Sequence, residues 1–346
     1  MHKKKAIAIF IIIAVVINLF GCTQKSEPIS KTEYMLGTIA TVTLFDSDNE
    51  NILDKVFQRI NEIEQRMSVN IEESDISKLN QNAGKEAVEV HEDVYYVLEM
   101  AKKYAQISNG AYEPTIGPLV DLWAIGTEDE KIPEDKEIKI ALERIGFNNL
   151  QLLGNNKAFL KKEGMKVDLG GIAKGYAADE VNRILTENGV KRAIIDLGGN
   201  VYVKGLKEDG SKWRVGIQNP FEVRGNHIGI ITLSNKAVVT SGDYERYFEE
   251  EGIRYHHILD RNTGYPARNE VAGVSVITDN SMVADALSTA LFVLGVDKGL
   301  ELVESMENVD VIYITKDYKV YISSGIKDNF KLSDEQFTLV KSQEER

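Results

Sequence analysis

The most informative stretch of the chain is residues 167–179, which read VDLGGIAKGYAAD. A short strand is predicted over 165–169, the glycine pair forms a turn, and a helix is predicted from there to about Asn188. Glycines at such a junction let backbone N–H groups approach a ligand closely, and a helix start favours an anion such as a diphosphate. The spacing matches neither the Walker pattern nor the G-x-G-x-x-G pattern, and it leaves a structural turn and a ligand site as equal alternatives.

Two neighbouring features bear on that choice. Lys174 lies on the first turn of the predicted helix, where the helix dipole disfavours an ammonium, so its position is more easily explained if it faces an anion. A second strand-to-glycine junction, IIDLGGN at 194–200, repeats the Asp-Leu-Gly-Gly of the first. We interpret the two junctions either as backbone approaches that flank one cofactor or as two tight turns of one sheet.

The periodicity of the rest of the chain predicts an α+β protein with mixed sheets and packed helices. Apolar residues at spacings of three and four predict an amphipathic helix over 50–67, and further helices are predicted over 91–108 and 281–294. Alternating β-branched residues predict strands at 34–45, 192–197, 201–205, 213–218, 228–233, 310–315 and 318–323. Strands and helices do not alternate as in a doubly wound fold, so we expect a single large unit, with a division into two subdomains left open.

A helix face near the carboxyl end carries metal-ligand chemistry. Residues 284–290 read ADALSTA, and Asp285 and Thr289 are four residues apart, so both point from one face with Ser288 beside them. A carboxylate and hydroxyls, together with nearby backbone carbonyls, suit a hard cation such as Mg²⁺. The alternative is an aspartate favoured by the helix dipole and a threonine that bonds back into the helix.

Two polar and aromatic stretches lie between the glycine junctions and that helix: SGDYERYF at 241–248 and HHILDRNTGYP at 256–266. The second is rich in turn residues. His256 and His257 are adjacent, so on a strand they face opposite ways and only one can line a site. A zinc site is not expected, because three ligands would have to be gathered without cysteines.

Two apolar stretches are candidate walls for a flat ring. They are YMLGT at 34–38 and PTIGPLVDLW at 114–123. Their methionine and tryptophan are good ring walls, but such residues more often belong simply to the core. Taken singly, both stretches are interpreted as structural.

The amino terminus predicts export and lipidation. Three lysines are followed by a fifteen-residue apolar run and by LFGC at 19–22, which is a secretory signal rather than a span of the roughly 20 residues that a membrane requires. Leu-x-Gly-Cys resembles the bacterial lipobox, in which the cysteine is lipidated; the alternative is a chance cysteine after an uncleaved anchor. We predict a lipoprotein signal peptide at 1–21, lipidation at Cys22, and a polar tether over 22–32, which together place the chain outside the cytoplasm on the cell membrane.

The charge and cysteine content exclude other classes. The formal net charge of −13 argues against nucleic acid and against electrostatic binding to a membrane surface. Cys22 is the only cysteine, so an intramolecular disulfide is excluded and stability must come from a packed core. We expect the folded domain over 33–330 and a polar tail over 331–346.

Four stretches, in this order, resemble the ApbE family, the FAD:protein FMN transferases. They are VDLGGIAKGYAAD, SGDYERYF, HILDRNTGYP and ADALSTA, and the resemblance covers roughly residues 33–325. MLGT at 35–38 is similar to the family's Met-Gly-Thr start with one residue inserted. The resemblance implies a T-fold-like domain that transfers FMN from FAD to a serine or threonine hydroxyl of a partner protein, with Mg²⁺, and releases AMP.

The resemblance also implies roles for individual residues. The metal ligands would be Asp285, Ser288 and Thr289, with carbonyl oxygens near Gly171 and Ala173. The FAD contacts would be Met35, Asn70, Leu122, Trp123, Ala124, Asp168, Lys174, His257 and Ile258. The acceptor hydroxyl needs a base, for which His257 and Asp243 are candidates. Two departures concern the FAD contacts: some relatives have tyrosine at the position of Asn70, and WAIG at 123–126 replaces the more usual Trp-Gly-Phe-Gly.

The implied acceptors are flavoprotein subunits of membrane redox pumps of the Nqr or Rnf kind. Three alternatives belong to other classes: a flavin-binding lipoprotein without turnover, a FAD pyrophosphatase without a protein acceptor, and a solute-binding lipoprotein that serves an importer. The predicted ligands Asp285 and Thr289 argue against the first and the last of these, because neither a carrier nor a solute receptor needs a metal.

Overall fold

The structure, a computed structural model, describes residues 27–340. A nine-stranded mixed sheet forms the centre of this part of the chain. Within that part the strands are β1 (Ile29–Met35), β2 (Thr38–Leu44), β3 (Val88–Glu89), β4 (Leu150–Leu152), β5 (Lys157–Leu160), β6 (Ala193–Leu197), β7 (Asn200–Lys204), β8 (Trp213–Gln218), β9 (His227–Leu233), β10 (Lys236–Gly242), β11 (Tyr247–Glu250), β12 (Ile253–His256), β13 (Val271–Thr278), β14 (Val309–Thr315), β15 (Lys319–Ile322), β16 (Phe330–Leu332) and β17 (Thr338–Leu339). The order in the large sheet is β1-β2-β6-β7-β10-β13-β14-β15-β17, with every pair antiparallel except β15 and β17.

Seven α-helices accompany these strands within the described residues. They are α1 (Glu50–Met67), α2 (Asp75–Gln81), α3 (Glu92–Ile107), α4 (Gly117–Trp123), α5 (Asp135–Glu143), α6 (Ala173–Glu187) and α7 (Ser281–Glu304). No helix of residues 27–340 is long and apolar enough to cross a membrane.

The main core lies between the large sheet and three of these helices. The helix α7 packs on β10 and β13, and α6 packs between α7 and α1. Because α7 is covered by the sheet on one side and by α6 on another, it is apolar nearly all round, as expected of a buried helix. The start of α6 and the start of α7 are thereby brought side by side.

The opposite face of the sheet is covered by a three-stranded sheet in the order β16-β9-β8. A second core fills the space between the two sheets and includes Trp213, Ile231 and Ile312. Since both faces of the central strand β13 are covered, all eight of its residues are buried. The α+β prediction with mixed sheets is confirmed.

The helices predicted over 50–67 and 91–108 are confirmed as α1 and α3. The single strand predicted over 34–45 is wrong, because the chain reverses at Leu36 and Gly37. Their φ values of 53° and 68° are those of a type I′ turn, which joins β1 to β2 as a hairpin. The turn thus places the inserted leucine of MLGT at the tip of this hairpin.

Other boundaries also differ from the predictions. The strand predicted over 165–169 is extended chain with one bridge, between Lys166 and Ile116. The helix predicted to end at 294 bends at Gly295, where φ is 78° and ψ is 179°, and then continues to the end of α7. The strands β10 and β13 had not been predicted.

Both predicted termini of the domain need correction as well. The strand β1 begins inside the predicted tether 22–32, because it pairs along its whole length with β2. The predicted tail 331–346 contains β17 and a buried Phe337, which is 4% exposed. Cys22 and the signal peptide 1–21 lie outside the described residues.

Candidate active site

A cavity of about 770 Å³ lies where the starts of α6 and α7 meet the β1–β2 hairpin. Among the predicted site residues, those that line it are Asn70, Trp123, Asp168, Gly171, Ala173, Lys174, His257, Ile258, Asp285 and Thr289. Tertiary structure therefore brings the glycine junction, the ADALSTA helix and the HHILD stretch to one place. No ligand role follows from position alone.

The Gly170–Gly171 turn leads directly into α6 and is held by two side chains. Asp168 Oδ1 accepts a hydrogen bond from Gly170 N–H at 2.7 Å, and Lys174 Nζ donates to Gly170 O at 2.9 Å. Burial raises the pKa of Asp168, while the Gly170 N–H and the Arg246 charge act in the opposite direction. The turn therefore presents one carboxylate and one ammonium to the cavity.

Asp285 is 4% exposed and lies opposite this turn. Its Oδ2 accepts a hydrogen bond from Gly175 N–H at 2.9 Å, and its Oδ1 lies 3.6 Å from Lys174 Nζ. Lys174 thus faces an anion, as its position in the sequence indicated, and in this structure the anion is a carboxylate of the protein.

The predicted cation site has oxygen donors that fit a hard metal ion. A Cβ added at Gly171 would lie 3.2 Å from Thr289 Oγ1, so this hydroxyl lies against the glycine turn and near Asp285. Among residues 27–340 no three His, Cys, Asp or Glu side chains are grouped so as to hold a metal. One carboxylate, one hydroxyl and backbone carbonyls fit Mg²⁺, which accepts few protein ligands and completes its shell with water and phosphate oxygens.

Ser288 does not join these donors, contrary to the predicted metal contact. It is fully buried and is not among the residues that line the cavity. Its hydroxyl donates to Asp285 O at 2.9 Å and accepts from Ser241 Oγ at 2.8 Å. The helix turn rotates this side chain toward β10, so its hydroxyl is bonded inside the protein.

The two adjacent histidines separate as expected. Buried His256 accepts from Ile258 N–H at its Nδ1, so its Nε2 carries the proton and donates to Ala267 O at 2.9 Å. His257 lines the cavity, and its Nδ1 lies 3.2 Å from Arg246 O. Because a carbonyl only accepts, Nδ1 of His257 carries the proton and its Nε2 keeps a lone pair.

Asp243, the other predicted base, does not line the cavity. Its carboxylate lies 3.8 Å from an Arg254 nitrogen and 3.7 Å from Lys316 Nζ. Burial raises its pKa, and these two cations act in the opposite direction. The prediction of Asp243 as a base is therefore corrected: its carboxylate is buried outside the cavity, near Arg254 and Lys316.

The predicted ring walls are only partly right. Trp123 lines the cavity, and its indole N–H donates to Gly264 O at 2.8 Å, which fixes the ring. Leu122 and Ala124 are not among the lining residues, since neighbours on a helical turn point away from each other. Met35 is buried in the core, and the inserted Leu36 lines the cavity instead.

The lining residues that the sequence reasoning missed include Tyr112, Glu113, Asn200 and Arg246. The buried Glu113 carboxylate accepts from Arg261 at 2.9 Å and so ties the loop after His257 to the rim of the cavity. Asn200 ends the repeated Asp-Leu-Gly-Gly junction and Arg246 lies in SGDYERYF, so both had a signal in the sequence. Tyr112 had none.

Helix starts, oxygen donors and one histidine face a single cavity, and such an arrangement is typical of an enzyme active site. The chain belongs to the ApbE family, whose model matches residues 36–313. It is 35% identical to a FAD:protein FMN transferase of Treponema pallidum, over 92% of this chain and 93% of that one. It is 36% identical to one of Klebsiella pneumoniae, over 90% and 96%.

Solved structures agree with this assignment. The structure of an ApbE protein from Thermotoga maritima superposes with a TM-score of 0.80 at 33% identity, covering 87% of this chain and 98% of that one. The flavin transferase ApbE from Vibrio cholerae gives a TM-score of 0.80 at 30% identity, covering 88% and 99%. The fold and the family are thus established together.

Proposed function

We propose that this chain transfers FMN from FAD to a serine or threonine hydroxyl of partner proteins and releases AMP. Relatives over nine-tenths of the chain are FAD:protein FMN transferases. The observation that carries the proposal is the cavity itself, in which a glycine turn at a helix start faces Asp285, Thr289 and His257. A diphosphate and an attacking hydroxyl are the ligands that such groups suit.

The donor is held by the glycine turn and its neighbours. The Lys174 ammonium lies at the glycine turn and favours the diphosphate, and the Asp168 carboxylate holds the other end of the turn through Gly170 N–H. Mg²⁺ held by Asp285, Thr289 and the carbonyls near Gly171 and Ala173 would offset charge on the diphosphate and on the departing AMP. Trp123, Asn70 and Ile258 border the space for the flavin.

The transfer is a single displacement at phosphorus. The acceptor oxygen forms a bond to the phosphorus that carries the flavin, and the bond from that phosphorus to the AMP half breaks. The hydroxyl proton passes to Nε2 of His257, which holds a lone pair because Nδ1–H donates to Arg246 O. Burial lowers the pKa of His257 to about 3, so the ring is neutral before it accepts the proton.

A mass measurement tests this function. The full chain in detergent is incubated with FAD, Mg²⁺ and a threonine-bearing acceptor fragment, and the acceptor is then weighed. Addition of one FMN phosphoryl unit, with release of AMP, is expected for the wild type and not for Asp285→Asn. FMN and AMP without a labelled acceptor would indicate a FAD pyrophosphatase instead, and bound FAD without products would indicate a flavin carrier.

We further propose that the enzyme is a lipoprotein outside the cytoplasm, anchored to the cell membrane through Cys22. The LFGC sequence at 19–22 supports this. The first residue of β1, Ile29, follows Cys22 by seven residues, and seven residues can span at most roughly 25 Å. Acceptors close to the membrane, such as subunits of Nqr- or Rnf-type redox pumps, fit that reach. Absence of an added lipid mass on Cys22 in the purified chain would contradict the anchor.

A further inference from the structure

Tyr112 carries a polar group that the protein itself leaves unsatisfied. Its hydroxyl is buried and has no hydrogen-bond partner among the described residues. The residue is 3% exposed and lines the cavity. Because a buried hydroxyl without a partner lowers stability, such a group in a cavity wall points to a ligand that completes its bonding.

The ring of Tyr112 lies beside the glycine turn and Thr289. A Cβ added at Gly171 would be 3.2 Å from Tyr112 Cε2 and equally 3.2 Å from Thr289 Oγ1. Cε2 is bonded to the carbon that carries the hydroxyl, so the hydroxyl lies beside the glycine turn and the start of α6. Thr289 is a proposed ligand of the Mg²⁺ that would accompany the diphosphate, so the hydroxyl lies at the end of the cavity proposed for the diphosphate.

The backbone on both sides of Tyr112 is held by hydrogen bonds, and its ring packs in the main core. Its own N–H donates to Ser108 Oγ at 3.0 Å. The next residue, Glu113, accepts from Thr115 N–H at 3.0 Å and from Arg261 at 2.9 Å. The position of the Tyr112 backbone is therefore set without a ligand, whereas its hydroxyl has no partner among the described residues.

We propose that the Tyr112 hydroxyl is a binding group for the donor, and that it donates a hydrogen bond to an oxygen of the FAD diphosphate. This rests on the proposed function, since FAD is taken as the ligand. The hydroxyl binds the same end of FAD as the glycine turn and does not take part in the proton transfer to His257.

Tyr244 provides a matched control. Its hydroxyl is also buried without a partner among the described residues, but the residue is not among those that line the cavity. Its ring packs against Gly242 and Gly273. Replacing either tyrosine with phenylalanine removes one unsatisfied hydroxyl and leaves the ring.

The test compares Tyr112→Phe and Tyr244→Phe in the full chain. Titration calorimetry with Mg²⁺ measures the affinity for FAD, for ADP as a diphosphate without flavin, and for riboflavin as a flavin without phosphate. We expect both variants to keep or raise the Tm of the ligand-free protein. Only Tyr112→Phe should weaken FAD and ADP, by about 10-fold, and it should leave riboflavin unchanged.

Three results would overturn the inference. Wild-type affinity for FAD in Tyr112→Phe would remove the hydroxyl from the site. An equal loss for riboflavin and FAD would assign it to the flavin rather than the diphosphate, and a lowered Tm would show a structural role. If the wild-type chain itself bound no FAD, the proposed function would fail first, which separates that failure from failure of Tyr112 alone.

Discussion

The backbone N–H of Gly175 donates to Oδ2 of Asp285 at 2.9 Å, so a carboxylate of α7 caps the start of α6. The relationship is reciprocal, because Asp179 of α6 accepts from Ser281 and Met282 N–H at the start of α7, at 2.8 and 2.9 Å. Each helix start thus receives a carboxylate from the other helix, which lowers the free energy of both. Asp285 therefore has a structural role beside its proposed metal role.

These two roles of Asp285 can be separated by substitution. Asp285→Asn keeps an oxygen that accepts from Gly175 N–H but loses the charge, whereas Asp285→Ala loses both. We expect Asp285→Ala to lower the free energy of unfolding by about 1–2 kcal/mol and Asp285→Asn by less. FMN transfer should be abolished in both. Denaturant unfolding without ligand checks this, and equal destabilisation by both variants would contradict the capping role.

The hydroxyls of Ser288 and Thr289 should differ in importance. Thr289→Val removes a hydroxyl that faces the cavity, so FMN transfer and its response to Mg²⁺ should fall by at least about 10-fold. Ser288→Ala removes a hydroxyl bonded to Asp285 O inside the protein, so transfer should persist with a small loss of stability. Titration of transfer rate against Mg²⁺ measures both variants. A larger effect from Ser288→Ala would mean that the helix rotates when the metal binds.

The neutrality of His257 predicts an unusual pH profile. Burial, reinforced by the Arg246 charge, lowers its pKa from 6.5 to about 3. A pKa that is lower in the folded state keeps the ring neutral as pH falls, so the acid limb of kcat/KM from this group should lie well below 6.5. The unfolded chain takes up the proton first, so the stability contribution is present above pH 6.5 and is lost toward pH 3.

Two measurements check the His257 prediction. The pH dependence of kcat/KM for transfer should show no loss that titrates near 6.5. The free energy of unfolding should fall less steeply between pH 6.5 and pH 4 in His257→Gln than in the wild type. If kcat/KM of the wild type fell with an acid limb at pH 6.5, and this limb were absent in His257→Gln, the lowered pKa of His257 would be contradicted.

The ion pair of Arg261 with Glu113 should be important for stability. The Glu113 side chain is 2% exposed, so Arg261→Ala leaves a buried carboxylate without its cation. We expect a loss of about 3 kcal/mol in the free energy of unfolding. Glu113→Gln in the same background should recover part of it, because the buried charge is removed. A double-mutant cycle measures the coupling energy between Arg261 and Glu113. Purely additive effects would show that the ion pair does not stabilise the fold.

The carboxyl-terminal segment should behave as part of the core. Phe337 packs against Phe221 and Tyr318, with ring centroids 6.2 and 5.3 Å away. Phe337→Ala should cost about 3 kcal/mol in the free energy of unfolding. The exposed neighbour Gln336→Ala should stay within about 0.5 kcal/mol and serves as control. If Phe337→Ala lowered the free energy of unfolding no more than Gln336→Ala, the segment 331–346 would be a polar tail, as first predicted.

Sequence alone determined the features that are encoded in consecutive residues. The spacing of apolar residues predicted α1 and α3, because a helix that buries one face repeats its apolar side chains every three or four positions. The glycine junction at 167–179 and the ADALSTA helix carried part of the family resemblance, and both contribute residues to the cavity wall. The hairpin turn at Leu36 and Gly37 was not predicted, because the strand-like pattern of apolar residues continues through it.

Only the tertiary structure decided which neighbouring side chain faces the cavity. His256 is turned inward because Ala267, beyond the intervening turn, offers it a carbonyl and the more distant Phe292 a ring edge, which leaves His257 to the cavity. Ser288 and Asp243 were misassigned for the same reason, since Ser241 and Lys316 lie far along the chain. Local periodicity is a property of a segment, whereas the direction of a polar side chain is set by partners that folding brings to it.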